Sequence, residues 1–310
     1  MNWTTRGCRI GLTLLLMAFV ADCAMGATFR YRLSGDWTTV TDGVGEGWGL
    51  NPNNNGSPGI GQPGAADDAR INWGGNTVNV TSDVTEVSRV QIGVDESGTV
   101  AVKNDGVLTA GLDILVGNNN ANATGTLIVE DGGEVNVGRI LWAANENSDG
   151  VIDVQSGGVV NVASHLWWGV TGTATIDISG TVNQTGGILG LGTSNAVSAS
   201  GGTATVNILD GGLLALNNIS GAPGQPSIQP GSIINIEGTG ELTVPGDLVG
   251  SLTGYADAGL LSGLGVPGPS NLTIDLTKNP GFTTVYIGIP EPTSVLLLGL
   301  GASILATRRR

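Results

Sequence analysis

The chain has little of what usually builds reactive chemistry. It holds two cysteines in 310 residues, Cys8 and Cys23, and both fall within the first 26. Beyond that point no disulfide, cysteine metal site or cysteine nucleophile is available. There is one histidine, His165, so a two-imidazole metal site is excluded. Charged residues make up 12% of the chain, which is too few for the exposed faces of a helical protein. Twelve Lys or Arg stand against 26 Asp or Glu, a net of −14. Such a surface repels phosphates and speaks against nucleic acid as a partner. No apolar run reaches the roughly 20 residues of a stable membrane-spanning helix.

What is abundant is glycine, at 53 residues, together with Asn, Thr, Ser and Val. That is a strand-and-turn composition. The middle of the chain repeats itself. Gly125 to Gly138 reads Gly-Thr-Leu-Ile-Val-Glu-Asp-Gly-Gly-Glu-Val-Asn-Val-Gly, followed by Arg139-Ile-Leu-Trp. Gly150 to Val162 repeats this grammar and leads into Ala163-Ser-His-Leu-Trp. Weaker copies begin at Gly98, Gly172 and Gly202, so the starts lie 27, 25, 22 and 30 residues apart. Each copy is an alternating strand, a glycine turn, a second alternating strand and a short apolar piece. One coil cannot bury its apolar side alone, but stacked coils share a core. The expected fold is all-β: a parallel β-helix or β-solenoid with an N-terminal strand-rich cap. A sandwich of hairpins is the alternative, since period-2 strands with glycine turns suit it too.

The expected organisation is a secretory signal peptide at 1–26, a cap at 27–75, solenoid repeats at 76–250, final strands and linker at 251–289, and a sorting signal at 290–310. Period two places Val137 and Val162 inward and Asn136, Asn161 and Asn183 on the opposite strand face. There the asparagines are spaced to form an amide ladder between coils. The repeats resemble the strand-loop-strand repeats of autotransporter-like passenger domains, which implies a solenoid fold and no particular activity.

Both ends carry export features. Arg6 and Arg9 precede the 11-residue apolar stretch Ile10 to Val20, and Ala24-Met25-Gly26 supplies small residues for cleavage near Gly26 or Ala27. A lipoprotein reading would use Cys23, but Asp22 stands where a small residue is wanted. At the other end Pro290-Glu291-Pro292 is followed by the apolar run Val295 to Ala306 and then Arg308-Arg309-Arg310. These three parts, in this order, resemble the PEP-CTERM sorting signal of exported bacterial proteins. The resemblance implies recognition by an exosortase and the export machinery, transient membrane contact through the C-terminal segment, and delivery to the cell surface or extracellular matrix. An ordinary C-terminal membrane anchor is the alternative. Between the two terminal segments the chain keeps seven basic and 24 acidic side chains, a net of −17.

Few residues invite a chemical role. Asp131, Ser156 and Asp210 hold one repeat slot, too irregular for a calcium-binding series. Asp153 and Asp177 fall in equivalent slots but on the polar side of their strands, with no basic partner in the repeat. His165 reads as a surface imidazole. Trp142 and Trp167 share a repeat position, and Trp168 adjoins; the three are the candidate carbohydrate contact. The expectation is an exported protein of the cell surface or matrix with no catalytic residues, metal or cofactor. The alternative is a carbohydrate-binding or polysaccharide-modifying solenoid whose partner is extracellular polysaccharide.

Overall fold

A computed structural model of the chain describes residues 27–31, 34–38, 47–50, 61–193, 201–219 and 227–288. Within them the chain is an all-β, three-faced parallel β-solenoid of about seven turns with one short helix. Face A stacks Thr28–Tyr31, Asp68–Ile71, Arg89–Val94, Asp113–Asn118, Ile140–Ala143, His165–Trp168 and Leu189–Leu191. Face B runs from Gly35–Asp36 and Asn76–Val80 through Gly98–Val102, Thr124–Val129, Asp149–Val154, Thr173–Ile178 and Thr203–Ile208 to Ile233–Ile236 and Leu261–Gly263. Face C stacks Val107–Ala110, Glu134–Val137, Val159–Val162, Thr181–Gln184, Leu213–Ala215 and Glu241–Pro245. In each repeat the chain passes from face B through face C to face A.

The repeat grammar sets the register. Gly98, Gly125 and Gly150 pair across coils. In the next two coils Ala174 and Ala204 take that place, and Gly172 and Gly202 lie two residues earlier. Alternation divides each strand between core and surface. On face C, Val135, Val137, Val160, Val162 and Val182 are at most 2% exposed, while their neighbours point outward. Leu127, Val129, Ile152, Val154, Ile176 and Ile178 do the same on face B. All belong to one continuous core. Each such side chain contributes about 1.5–3 kcal/mol of burial.

The corner leaving face A has its own rule. Gly93, Gly117, Gly169 and Gly192 occupy one column, with φ of 68°, 75°, 66° and 72°. A Cβ on Gly117 would stand 2.0 Å from the Asp149 carbonyl oxygen, and one on Gly169 would stand 2.1 Å from that of Thr203. Glycine is needed there both for the left-handed backbone and for the close approach of the next coil. The exception in the column is Ala144, at φ 58°.

The ends are closed differently from the middle. The segment expected as a cap contributes rungs of its own: Thr28–Tyr31 and Asp68–Ile71 pair in parallel, and Trp48–Leu50 finishes that edge antiparallel. Buried Tyr31, Trp37 and Trp48 plug the core there. Their rings meet edge to face at 5.0 Å and 4.6 Å, and the Trp48 indole donates to the Trp37 carbonyl at 2.9 Å. At the C-terminal end the expected final strands form as Leu272–Asp275 and Phe282–Ile287, added antiparallel beyond Glu241–Pro245. The helix Val249–Asp257, where only strands and linker were expected, sets buried Leu252 and Ala256 against the last coil. Its sequence includes two glycines and is a poor helix former by itself. The i, i+4 apolar pair packing on the core end decides its conformation. Antiparallel additions of this kind blunt sheet edges that would otherwise recruit further strands.

Candidate functional site

The three outer faces differ in chemistry. Among the described strands, faces B and C carry no Lys or Arg. Face A carries Arg30, Arg70 and Arg89 beside Asp68 and Asp113, together with His165 and the tryptophans at 48, 142, 167 and 168. Faces B and C present Thr, Asn, Asp and Glu.

The predicted carbohydrate-contact residues separate on this face. Trp142 and Trp167 pair in adjacent coils and both point outward, half-buried. Trp168 points the other way and is fully buried, so it cannot join a surface contact. Adjacent strand residues face opposite sides. Trp168 lies in the core between Ala143 below and Leu191 above, in register, and the small Ala143 side chain leaves it room. The two outward indoles do not form a flat platform either. Their rings meet at 4.5 Å and 83°, edge to face. Trp167 is stacked by His165 at 4.9 Å and 27°, and it lies over Gly190, where a Cβ would be 3.3 Å from its Cδ1.

His165 is therefore built into the face rather than free on it. It is partly buried, and its Nδ1 accepts the Ile188 amide at 3.1 Å. That bond selects the neutral tautomer with the proton on Nε2. Burial lowers its pKa below the ordinary 6.5.

Reading along the centre of face A, register places Arg30, Arg70, Gln91, Leu115, Trp142 and Trp167 in one outward row. Arg30 donates to Asn72 at 2.7 Å and its guanidinium sits over the Trp73 ring at 5.1 Å. Burial lowers the Arg30 pKa, and nearby Glu96 and Asp95 oppose that shift. Asp95 stands 4.0 Å from Arg70. Beside this row Asp113 is clamped. Its Oδ1 accepts from Arg139 Nε at 2.7 Å and its Oδ2 accepts from Arg89 Nε at 3.3 Å. Asp113 is fully used in that bridge between coils.

Most of the other sequence candidates fasten one coil to the next. The asparagine ladder forms: Asn161 donates to Asn136 at 3.0 Å and Asn183 donates to Asn161 at 3.1 Å. A third step of the same kind, which the repeat grammar did not reveal, joins Asn145 to Asn118 at 2.9 Å. Asn120 in the same loop donates to the Asp95 carbonyl. Asp153 and Asp177 do stack in register, on the outer side of face B. Gln155 donates to Asp153 at 2.9 Å, and Asn207 donates to Asp177 at 2.7 Å. Asp210 accepts both the backbone amide and the hydroxyl of Thr239. Among the described residues no group of three or more His, Cys, Asp or Glu converges on a metal position, and no helix is long and apolar enough to cross a membrane.

Two shallow concavities lie at the C-terminal end. One is lined by Leu264, Leu272, Thr273 and Ile287, the other by Leu213, Glu241, Thr243 and Phe282. Glu241 in the second is paired with Lys278 at 2.8 Å. The sorting motif Pro290, Glu291, Pro292 and the arginines at 308–310 lie outside the described residues, as does the signal peptide. Compared with protein-family models, with curated proteins and with solved structures, the chain shows no match.

Proposed function

We propose that this is an exported, non-catalytic protein of a bacterial cell surface or extracellular matrix, sorted and processed through a C-terminal PEP-CTERM signal by an exosortase. One observation carries the reading: Pro290-Glu291-Pro292, the apolar run Val295 to Ala306 and Arg308-Arg309-Arg310 follow one another in that order. The basic, apolar and small-residue regions before Ala27 support it independently. The fold is compatible with such a role. A disulfide-free rod held by backbone pairing and interlocking amides needs no redox partner to remain folded outside the cell. Its remaining acidic surface suits solubility there.

The test is cell fractionation of a producing bacterium, with intact-mass analysis of the product. The mature protein is expected at the surface or in the medium, beginning near Ala27 or Thr28 and lacking Arg308 to Arg310. An exported form that retains those arginines overturns the processing claim, and a product confined to the cytoplasm overturns the export claim.

A further inference from the structure

We propose that the C-terminal end of the solenoid carries a lipid-contact patch, centred on Leu264, that rests on a bilayer when the apolar tail engages one. The inference deepens the proposed function, because it rests on Val295 to Ala306 meeting a membrane. Its first support is a leucine in an unfavourable place. Leu261–Gly263 and Val266–Pro267 form a hairpin whose loop is the two residues Leu264 and Gly265. Both have positive φ, 54° and 71°. That is the pattern of a type I′ turn, whose first position favours Asn, Asp or Gly. Leucine there carries left-handed strain. Its side chain is also 57% exposed, more than any other large apolar side chain among the described residues. The fold needs neither feature, since Asn would make the same turn with less strain and more affinity for water. A strained residue kept in such a turn points to use.

The second support is the surroundings. Val266, at the same hairpin tip, is 48% exposed. Leu264 borders a concavity that Leu272 and Ile287 also line, and none of its lining side chains is charged. Residues 258–274 and 279–290 contain no Asp, Glu, Lys or Arg, in a chain with 26 acidic side chains. A bilayer surface accepts apolar and neutral groups, while a carboxylate pressed against it would lose hydration. Exposed apolar surface set apart in this way is a mark of a protein or membrane contact.

The third support is the tether, and it selects lipid over a second copy of the chain. Gly288, the last described residue, lies in the lining of the same concavity. The apolar run begins at Val295, eight residues after Ile287. Eight residues span at most about 29 Å, so a run held in a bilayer keeps the patch beside that surface. A contact tethered this closely needs little affinity of its own. The run of about a dozen residues is also short of the roughly 20 that span a bilayer, so a second apolar contact adds hold.

The test is flotation of the full chain with phosphatidylcholine vesicles, which are expected to carry the wild-type protein. Leu264→Asn should weaken binding about tenfold, as the loss of one lipid-buried leucine requires. Its thermal midpoint should hold or rise, because Asn suits the turn. Leu112→Asn, at an exposed leucine in the corner between faces C and A, should bind like the wild type. Leu297→Asp, within the apolar run, should weaken binding as well. In brominated phosphatidylcholine, Leu264→Trp should show added emission that is quenched, and Leu112→Trp added emission that is not. All variants share both termini apart from position 297, so each difference belongs to the side chain changed. Leu297→Asp without effect overturns the membrane reading of the tail, and the patch with it. If Leu297→Asp weakens binding while Leu264→Asn does not, or Leu264→Trp escapes quenching, the patch alone is overturned. A wild-type dimer in buffer that Leu264→Asn dissolves would assign the patch to self-association and overturn the proposal too.

Discussion

Asn161 donates its side-chain amide to Asn136 in the coil below at 3.0 Å, while its neighbour Val162 is 1% exposed in the core. Two adjacent residues thus hold the same two coils together by different means, one from outside and one from inside.

The pair predicts unequal costs for the same substitution. Val162→Asp puts a carboxylate into an apolar core with no partner and should cost about 4 kcal/mol, a large drop in thermal midpoint. Asn161→Asp stays outside, but it loses the donor to Asn136 and faces Glu134, to which Asn161 also donates. It should cost about 1 kcal/mol and less in acid, where the carboxylates are neutralised. Thermal melts of the two variants check this. Similar midpoints would refute the register.

At the face A corner the expectation has opposite signs in neighbouring coils. Ala144 sits at φ 58° in a column otherwise filled by glycine. Ala144→Gly should raise stability by about 0.5–1 kcal/mol, the left-handed strain relieved exceeding the entropy that glycine adds to the unfolded chain. Gly169→Ala meets the Thr203 carbonyl at 2.1 Å and should destabilise by more than about 3 kcal/mol. Urea titration of both variants measures the contrast. A loss of stability in Ala144→Gly would show that the alanine methyl contributes packing that outweighs its strain.

The stability of the fold should also respond to mild acid through His165. Its folded pKa lies below the ordinary 6.5 because the ring is partly buried. Below that pH the unfolded chain binds more protons than the folded one, so stability falls as pH drops through 6.5 and below. Asp210 and Asp275 are held below 3.8 by hydrogen bonds, chiefly from the Thr239 and Lys278 backbone amides. Their contribution is lost only below about pH 4. Between about pH 7 and 5 the slope therefore belongs to the imidazole. His165→Gln should flatten the dependence of the thermal midpoint on pH in that interval; an unchanged slope would refute the assignment.

The tandem copies made a good part of this architecture legible. Repetition aligned Val137 with Val162, Asn136 with Asn161, Trp142 with Trp167 and Asp153 with Asp177, and each pair stands in register. What repetition did not carry was side. Trp167 and Trp168 are consecutive, so strand alternation sends them apart, and grouping them as one contact overlooked that rule. The Ala143 that accommodates Trp168 comes from the preceding coil and has no local signal. The helix Val249–Asp257 escaped because its residues favour no helix without the core end to cover. The concentration of arginine on one face was equally hidden. It emerges only once Arg30, Arg70 and Arg89, spread over sixty residues of sequence, are known to belong to one sheet.

The unbroken parallel register means that length is a free variable of this fold. Asp149 pairs with Thr124 below and Thr173 above. Excising residues 149 to 172 would bring Thr173 onto Thr124, lay Thr181–Gln184 against Glu134–Val137, and let Asn183 meet Asn136 in place of Asn161. The ends would not register the change. A lineage can therefore shorten or lengthen such a molecule by whole coils through unequal recombination between its own repeats, altering reach without inventing a new core.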